Sequence, residues 1–417
     1  MHRIAHILAT GLLVASHSAA AEFYQQLDTE WSLEARAFPD NAAFASQSDG
    51  QLSVSLLSEW YAEWNRDFSV TIAPFARFDA QDDERSHIDL REFYWQGVFD
   101  RVELRLGISK VFWGKTELLH LVDIINQTDA VENIDGEDKL GQPMVRLNWA
   151  LGGVSLQAYA LPYFRERPFA GEDGRLRAPL PVLQDDALYQ SSDEQSHLDY
   201  AVRVQGYAGA LDYGLAWFSG TARNPQLLAA NIVNTPNGPQ PTALQPFYGL
   251  LDQLSVDAQY TVGSWLLKLE AVWREQGLLA QLPGQAPQLI EVDYGAATGG
   301  FEYTRYGVFE SAWDIGYLAE YLWDERNDAA DNGFQNDLFL ATRLAANDVL
   351  DTTLLAGVVM DLDRGSRFIS VEASRRLDGS TKLSLELRLF SNIDARDTLF
   401  YPLRQDDYIQ LELTRYL

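Results

Sequence analysis

The chain has 417 residues, 47% hydrophobic and 12% aromatic, with 60 acidic against 32 basic side chains, a formal charge of −28 and no cysteine. The missing cysteines exclude disulfide scaffolds, thiolate metal sites and cysteine nucleophiles, and the acidic balance leaves no basic surface for a phosphate backbone, so no nucleic-acid partner is expected. Eleven Trp, 19 Tyr and 20 Phe are more aromatic surface than a solvated, disordered chain carries.

Residues 1–21 place Arg3 near the start, an apolar stretch over Ile7–Ala15 and the small run Ala19-Ala20-Ala21 before Glu22. This is the pattern of a secretory signal peptide cut after Ala21. The stretch is too short for an anchor helix, and His17 and Ser18 break it. Residues 22–417 contain no apolar run of helix-spanning length, so helical membrane proteins are excluded as a class.

From there the chain alternates. Apolar and polar side chains take turns across Phe68–Phe78, Val145–Trp149, Val154–Ala160 and Leu198–Gln205, the period of a strand whose two faces meet different solvents. In Arg101–Ser109, Val102, Leu104, Leu106 and Ile108 oppose Arg101, Glu103, Arg105 and Ser109. Trp265, Leu267, Leu269, Ala271 and Trp273 oppose Lys268, Glu270 and Arg274, and Leu383, Leu385, Leu387 and Leu389 oppose Lys382, Ser384, Glu386 and Arg388. Tight connections (Gly97–Arg101, Gly152-Gly153, Tyr207–Ala210, Val262–Ser264, Ala346–Asp348, Asp378-Gly379) alternate with longer ones (Pro39–Gly50, Val111–Gln142, Pro162–Ser196, Gly220–Gly249, Gln276–Glu291, Ser391–Leu403). A sheet with trimmed turns at one end and ornate loops at the other points to an all-β transmembrane antiparallel β-barrel, the closed sheet that hides its backbone from lipid. Counting reversals gives about eighteen strands, with sixteen as the lower bound. Trp149, Trp217, Trp265, Trp273, Trp313 and Trp323 fall mostly near strand ends, where aromatic girdles sit.

The third external loop, Val111–Gln142, carries Leu118, Leu119, Leu121, Val122, Ile124 and Ile125, too many apolar residues for a loop in water. It is expected to fold back inside the barrel, where irregular backbone is allowed beside protein or a watery lumen. Its acids Glu117, Asp123, Asp129, Glu132, Asp135, Glu137 and Asp138 face only Lys115 and Lys139 as bases, with His120 among them. The flanking strands put Arg101, Arg105 and Arg146 on their polar side, with Arg77 and Arg203 two strands out. A negative loop opposed to a positive wall sets a field across the lumen that favours small polar or zwitterionic solutes. The same charges read equally well as ion pairs pinning the loop.

An inward third loop resembles the constriction of the general porins. The Trp113-Gly114 step followed by Asp123 and Asp129 is similar to a porin-like family of proteobacterial outer-membrane proteins whose function is not assigned. The likeness implies the outer membrane of a Gram-negative cell, contact with its lipid and lipopolysaccharide, and, by analogy with porin trimers, a homo-oligomer. The terminal segment Tyr408–Leu417 resembles the C-terminal strand that the barrel-assembly machinery reads, although it ends in Leu417 rather than Phe or Trp, and Arg415 stands on the apolar face.

Chemistry finds little support. The histidines beyond the leader are His87, His120 and His197; in Ser86-His87 and Ser196-His197 adjacent strand residues point to opposite faces and cannot act as nucleophile and base. No GxSxG, HExxH or Walker pattern occurs, and the acids of Asp324–Asp337 lack an EF-hand rhythm. The expectation is a passive channel for small solutes, not an enzyme, with neither cofactor nor metal. Two other classes stay open: a transporter of hydrophobic or lipid-like molecules along the apolar face of Val111–Gln142, and a platform whose loops Pro162–Ser196 and Gly220–Gly249 bind a partner.

Overall fold

The computed structural model describes residues 23–280, 286–331, 333–397 and 399–417, so the leader expected over 1–21 lies outside the described residues. Among the described residues one sheet holds eighteen strands. The first nine are β1 (Phe23–Ala37), β2 (Gly50–Trp64), β3 (Phe68–Asp79), β4 (His87–Phe99), β5 (Val102–Ser109), β6 (Gln142–Ala150), β7 (Val154–Leu161), β8 (Asp199–Ala208) and β9 (Leu211–Thr221). The rest are β10 (Leu250–Val262), β11 (Trp265–Ala280), β12 (Gln288–Arg305), β13 (Asp314–Asp324), β14 (Asn336–Ala345), β15 (Thr353–Asp361), β16 (Arg367–Asp378), β17 (Thr381–Ser391) and β18 (Tyr408–Tyr416).

Each strand pairs antiparallel with its neighbours in the chain. β1 also pairs with β18, from Glu30↔Tyr416 to Ala37↔Ile409, so the sheet closes and leaves no edge. Turns such as 65–67, 209–210 and 263–264 gather at one end, the latter with Gly263 at φ +59°, a conformation glycine adopts without strain. Loops 38–49, 110–141, 162–198 and 222–249 gather at the other.

The burial pattern is that of a soluble protein turned inside out. On β1, Trp31 and Leu33 are 37% and 43% exposed, whereas Ser32, Glu34 and Arg36 between them are buried. Val54 and Leu56 on β2, Leu215 and Trp217 on β9, and Leu267 and Leu269 on β11 repeat the exposed apolar row. An apolar outer face this continuous suits hydrocarbon rather than water. Trp149, Trp265 and Trp313 stand beside the short turns and Trp323 at the loop end of β13. Trp217 and Trp273 instead flank Leu254 in one cross-strand row, away from the strand ends.

One connection is shorter than the sequence suggests. The ladder of β11 and β12 runs on to Ala280↔Gln288, well inside the loop expected over Gln276–Glu291. The pair Leu278-Leu279 breaks the alternation that marked the rest of the strand, and here the Gln226 side chain bonds both the N–H and the carbonyl of Leu279 at 2.9 Å. Beyond the barrel, Gln226–Ala230, Ala243–Tyr248 and Leu188–Tyr189 build a small separate sheet from the fourth and fifth loops.

Candidate pore constriction

Loop Val111–Gln142 joins β5 to β6 and has almost no regular structure, a single bridge between Thr128 and Lys139 excepted. Its apolar residues pack on the wall, as their number demands. Trp113, Leu121, Val122, Ile124 and Ile125 are buried against Met144 of β6, Tyr159 and Leu161 of β7, Phe218 of β9, Leu251 of β10 and Val272 of β11. Leu118 and Leu119 lie against Leu318 and Leu322 of β13, Phe339 of β14 and Val359 of β15.

Two carboxylates on the wall satisfy the backbone that the irregular loop leaves unpaired. Glu270 of β11, wholly buried, accepts from Lys115 N at 2.6 Å, Thr116 N at 3.0 Å, Thr116 Oγ1 at 2.8 Å and Val122 N at 3.3 Å. Glu320 of β13 accepts from Glu117 N at 2.8 Å and Leu118 N at 3.1 Å. Charge-assisted bonds of this kind are the strong ones, and an unpaired buried N–H is costly.

On the far side the loop meets a guanidinium cluster. Glu132 is gripped by Arg77 of β3, whose Nε and Nη2 donate at 2.8 and 2.6 Å. Arg36 of β1 donates to the Glu132 carbonyl at 2.9 Å, and Arg85 to the Val131 carbonyl at 2.8 Å. Arg85 also meets Glu34 and Asp79, at 2.9 and 2.8 Å. Asp129 takes Arg91 of β4 at 2.6 Å, with His87 Nε2 at 3.5 Å. At the loop tip Asp135 faces Arg388 of β17 at 3.4 Å, and Asn133 donates to Glu386 at 3.1 Å.

Within the loop, Lys139 meets Asp123 at 3.2 Å, and Asp123 accepts from Trp113 N at 3.2 Å. His120 stands 2.9 Å from Glu137 and 3.8 Å from Glu270. Burial opposes the protonated imidazole, but those two carboxylates outweigh it and raise His120 to about 10. Glu117 pairs with Lys268 at 3.4 Å and Arg343 at 2.5 Å. Lys115 contributes its backbone, and Asp138 keeps an open face. Surrounding protein nevertheless strips solvent from Asp138, and with the like charges of Glu132 and Asp135 this pushes its carboxyl up to about 7.

The basic wall expected from sequence divides into three. Arg77 is consumed by the loop as above. Arg203 meets Asp257 of β10 at 2.7 Å and stacks over Trp113, 5.0 Å from its ring. Arg105 and Arg146 remain on the inner wall beside each other, and Arg101 sits exposed in the turn between β4 and β5. Sequence reasoning missed Arg36, Arg85, Arg91, Glu320 and Arg343 as partners of the loop. Lys268, Glu270 and Arg388 were legible as polar-face residues, but nothing local linked them to residues over a hundred positions away.

Among the described residues the three histidines face carboxylates or a carbonyl: His87 bonds the Arg85 carbonyl and His197 bonds Asp199, each through Nδ1. His87, Asp129 and Glu132 bring ligand-type atoms within 4.8 Å of one another, yet both acids already accept from arginine, so a cation there would face two guanidiniums.

No protein-family model and no curated protein sequence matches this chain. Solved structures do. A BenF-like porin from Pseudomonas fluorescens Pf-5 superposes with a TM-score of 0.53 at 9% identity, over 95% of this chain and 98% of that one. A loop L8 deletion mutant of OmpT, an outer-membrane protein of Vibrio cholerae, is similar at TM-score 0.47 and 8% identity, over 95% and 99%. A mutant Rh. blastica porin is similar at TM-score 0.42 and 11% identity, over 94% and 100%. The chain has the closed barrel of the outer-membrane porins; at these identities the likeness is one of fold.

Proposed function

We propose that the protein is a porin-like channel of a bacterial outer membrane, with Val111–Gln142 folded into the lumen as its constriction and small polar solutes as its cargo. The observation that carries this reading is the set of loop partners. Glu270 and Glu320 hold one flank of the loop, and Arg36, Arg77, Arg91 and Arg388 hold the other, on strands from opposite arcs of the closed sheet. A segment bonded to both arcs narrows the space between them. An eighteen-stranded barrel is wide enough to keep an aqueous path beside such a loop.

The apolar side of the loop lies against the wall, which weighs against a greasy conduit along it. The fourth loop is likewise tied down, through Arg175 to Asp406 at 2.6 Å and through Gly171 N to Asp82 at 3.1 Å, which weighs against a free adhesive platform. Insertion through the strand Tyr408–Leu417, lipopolysaccharide around the loop rim and assembly with further copies belong to the same reading. Its test is conductance in planar phospholipid bilayers. Ohmic openings are expected, and the Arg343→Gln variant, which removes one positive charge and leaves Glu117 to Lys268 alone, should shift reversal potentials toward cations in a salt gradient. A folded protein that never conducts, in several lipid compositions, overturns the proposal.

A further inference from the structure

Most inward-facing charges of this barrel are neutralised by a partner of opposite sign. Arg105 and Arg146 depart from this: Arg105 bonds only neutral acceptors, and Arg146 has a single remote carboxylate, Glu103. They are register partners of β5 and β6, both on the inner face, between the base of the loop and the nearest short turn. Cross-strand partners sit about 5 Å apart at Cβ, and like charges in that position repel. A wall that needs only stability would not put two cations there without a carboxylate between them.

Their existing contacts do not resolve the repulsion. Arg105 donates to neutral acceptors, Gln96 Oε1 at 2.7 and 3.1 Å and Ser109 Oγ at 2.9 Å, and lies over the Tyr94 ring at 4.1 Å. Arg146 comes no nearer than 3.9 Å to Glu103, beyond hydrogen-bond reach, and its buried Nε has no partner. Its side chain is 17% exposed. Two guanidiniums therefore share one distant carboxylate, with Tyr94 and Tyr159 as flat walls. Arg105 already donates to Gln96 and Ser109, so the open fork is that of Arg146, whose Nε has no acceptor; such a fork beside a second positive charge suits a carboxylate gripped edge-on.

We infer that Arg105 and Arg146 form a subsite for the carboxylate end of a small solute in transit. The inference rests on the channel reading, and it names that channel's ligand class more narrowly. Neighbouring Arg203 is not part of the subsite, since Asp257 already neutralises it.

The probe is potassium succinate added to one side of single channels carrying potassium chloride current. Concentration-dependent block is expected in the wild type, weakened about tenfold or more in Arg146→Gln, the loss of one charged hydrogen-bonded pair. Arg146→Lys keeps the charge and loses the fork, and should lie near Arg146→Gln; a Lys variant equal to wild type overturns the edge-on grip. Phosphate blocking as well as succinate overturns the carboxylate assignment, and block unchanged in both Arg146→Gln and Arg105→Gln overturns the subsite. Each variant is first checked for the compact, heat-modifiable gel band of a folded barrel. Should no variant or wild type conduct, the channel reading is the one that fails. Calorimetric titration of succinate into the detergent-folded protein, with loss of heat in Arg146→Gln, still decides the subsite.

Discussion

Gly114 shows why a Trp-Gly step stands at the start of the loop. Trp113 is buried between Arg203 and Tyr159, and the next residue has φ +155° with His120 Nδ1 only 2.7 Å from where a Cβ would be. Any side chain there would push His120 off Glu270. Asp135 and Asp138 extend the logic of enclosure to charge. Loss of solvent lifts the carboxyl of Asp135 to about 6 against the Glu137 N–H and Arg388, and that of Asp138 to about 7 with the like charges of Glu132 and Asp135 added. A carboxyl raised in the folded chain binds its proton more tightly there than when unfolded, so its contribution to stability falls as pH rises from about 4 to 7. Asp138 also acquires its negative charge across neutrality. Expected outcomes follow for Asp138→Asn: the wild-type drift toward cation preference between pH 6 and 8 flattens, and thermal unfolding in detergent changes less between pH 5 and 8 than in the wild type. A variant whose reversal potentials and melting follow the wild type at every pH refutes the assignment of that titration to Asp138.

At the scale of elements, the loop Val111–Gln142 is held by wall carboxylates as a strand is held by its neighbour. Glu270 does for Lys115, Thr116 and Val122 what a partner strand would do for a ladder. Glu270→Gln removes the charge from four hydrogen bonds at once while keeping the shape. Each charge-assisted bond contributes about 1.5–3 kcal/mol, so the loop should loosen well before the barrel does. Limited proteolysis of the folded protein should then cut within 111–142 at protease levels that spare the wild type, while the heat-modifiable barrel band persists. Equal resistance in both would mean that apolar packing by Leu121, Val122 and Ile125 alone holds the loop. His120 acts in the same direction. Its proton is retained until about pH 10, so the stabilisation it lends through Glu137 is fully present below the free imidazole value of about 6.5, declines above it and is gone once pH passes about 10. The sequence exposed the apolar and acidic content of this loop, and so its need for a wall. It could not expose the wall residues, because Glu270 and Arg388 lie far along the chain and their spacing in their own strands says only which face they occupy.

For the whole molecule, closure is the property on which the rest depends. The β1–β18 seam pairs Glu30 with Tyr416 and buries Ser32 against Thr414, with their hydroxyls 2.8 Å apart. A closed sheet exposes no edge, so the unboiled protein is expected to run as a compact band in detergent gels and to shift on boiling, and to precipitate when detergent is removed. Identical migration with and without boiling would contradict a membrane barrel. Truncation of Tyr408–Leu417 should abolish that band altogether, since it reopens both β1 and β17 as edges.

Period-two alternation, read along one chain, determined the all-β class, the antiparallel order, the parity of the strands and the end at which the long loops gather. It did so because lipid outside and a polar interior act on every strand separately and leave their mark residue by residue. Which inward side chains meet was decided only in three dimensions. The stagger of eighteen strands around a closed ring, and the contacts that one irregular loop makes with them, bring Glu132 to Arg77, Asp135 to Arg388 and Glu117 to Arg343, and leave Arg105 beside Arg146. A strand's period fixes a face; a partner across the lumen depends on ring geometry that no local pattern encodes.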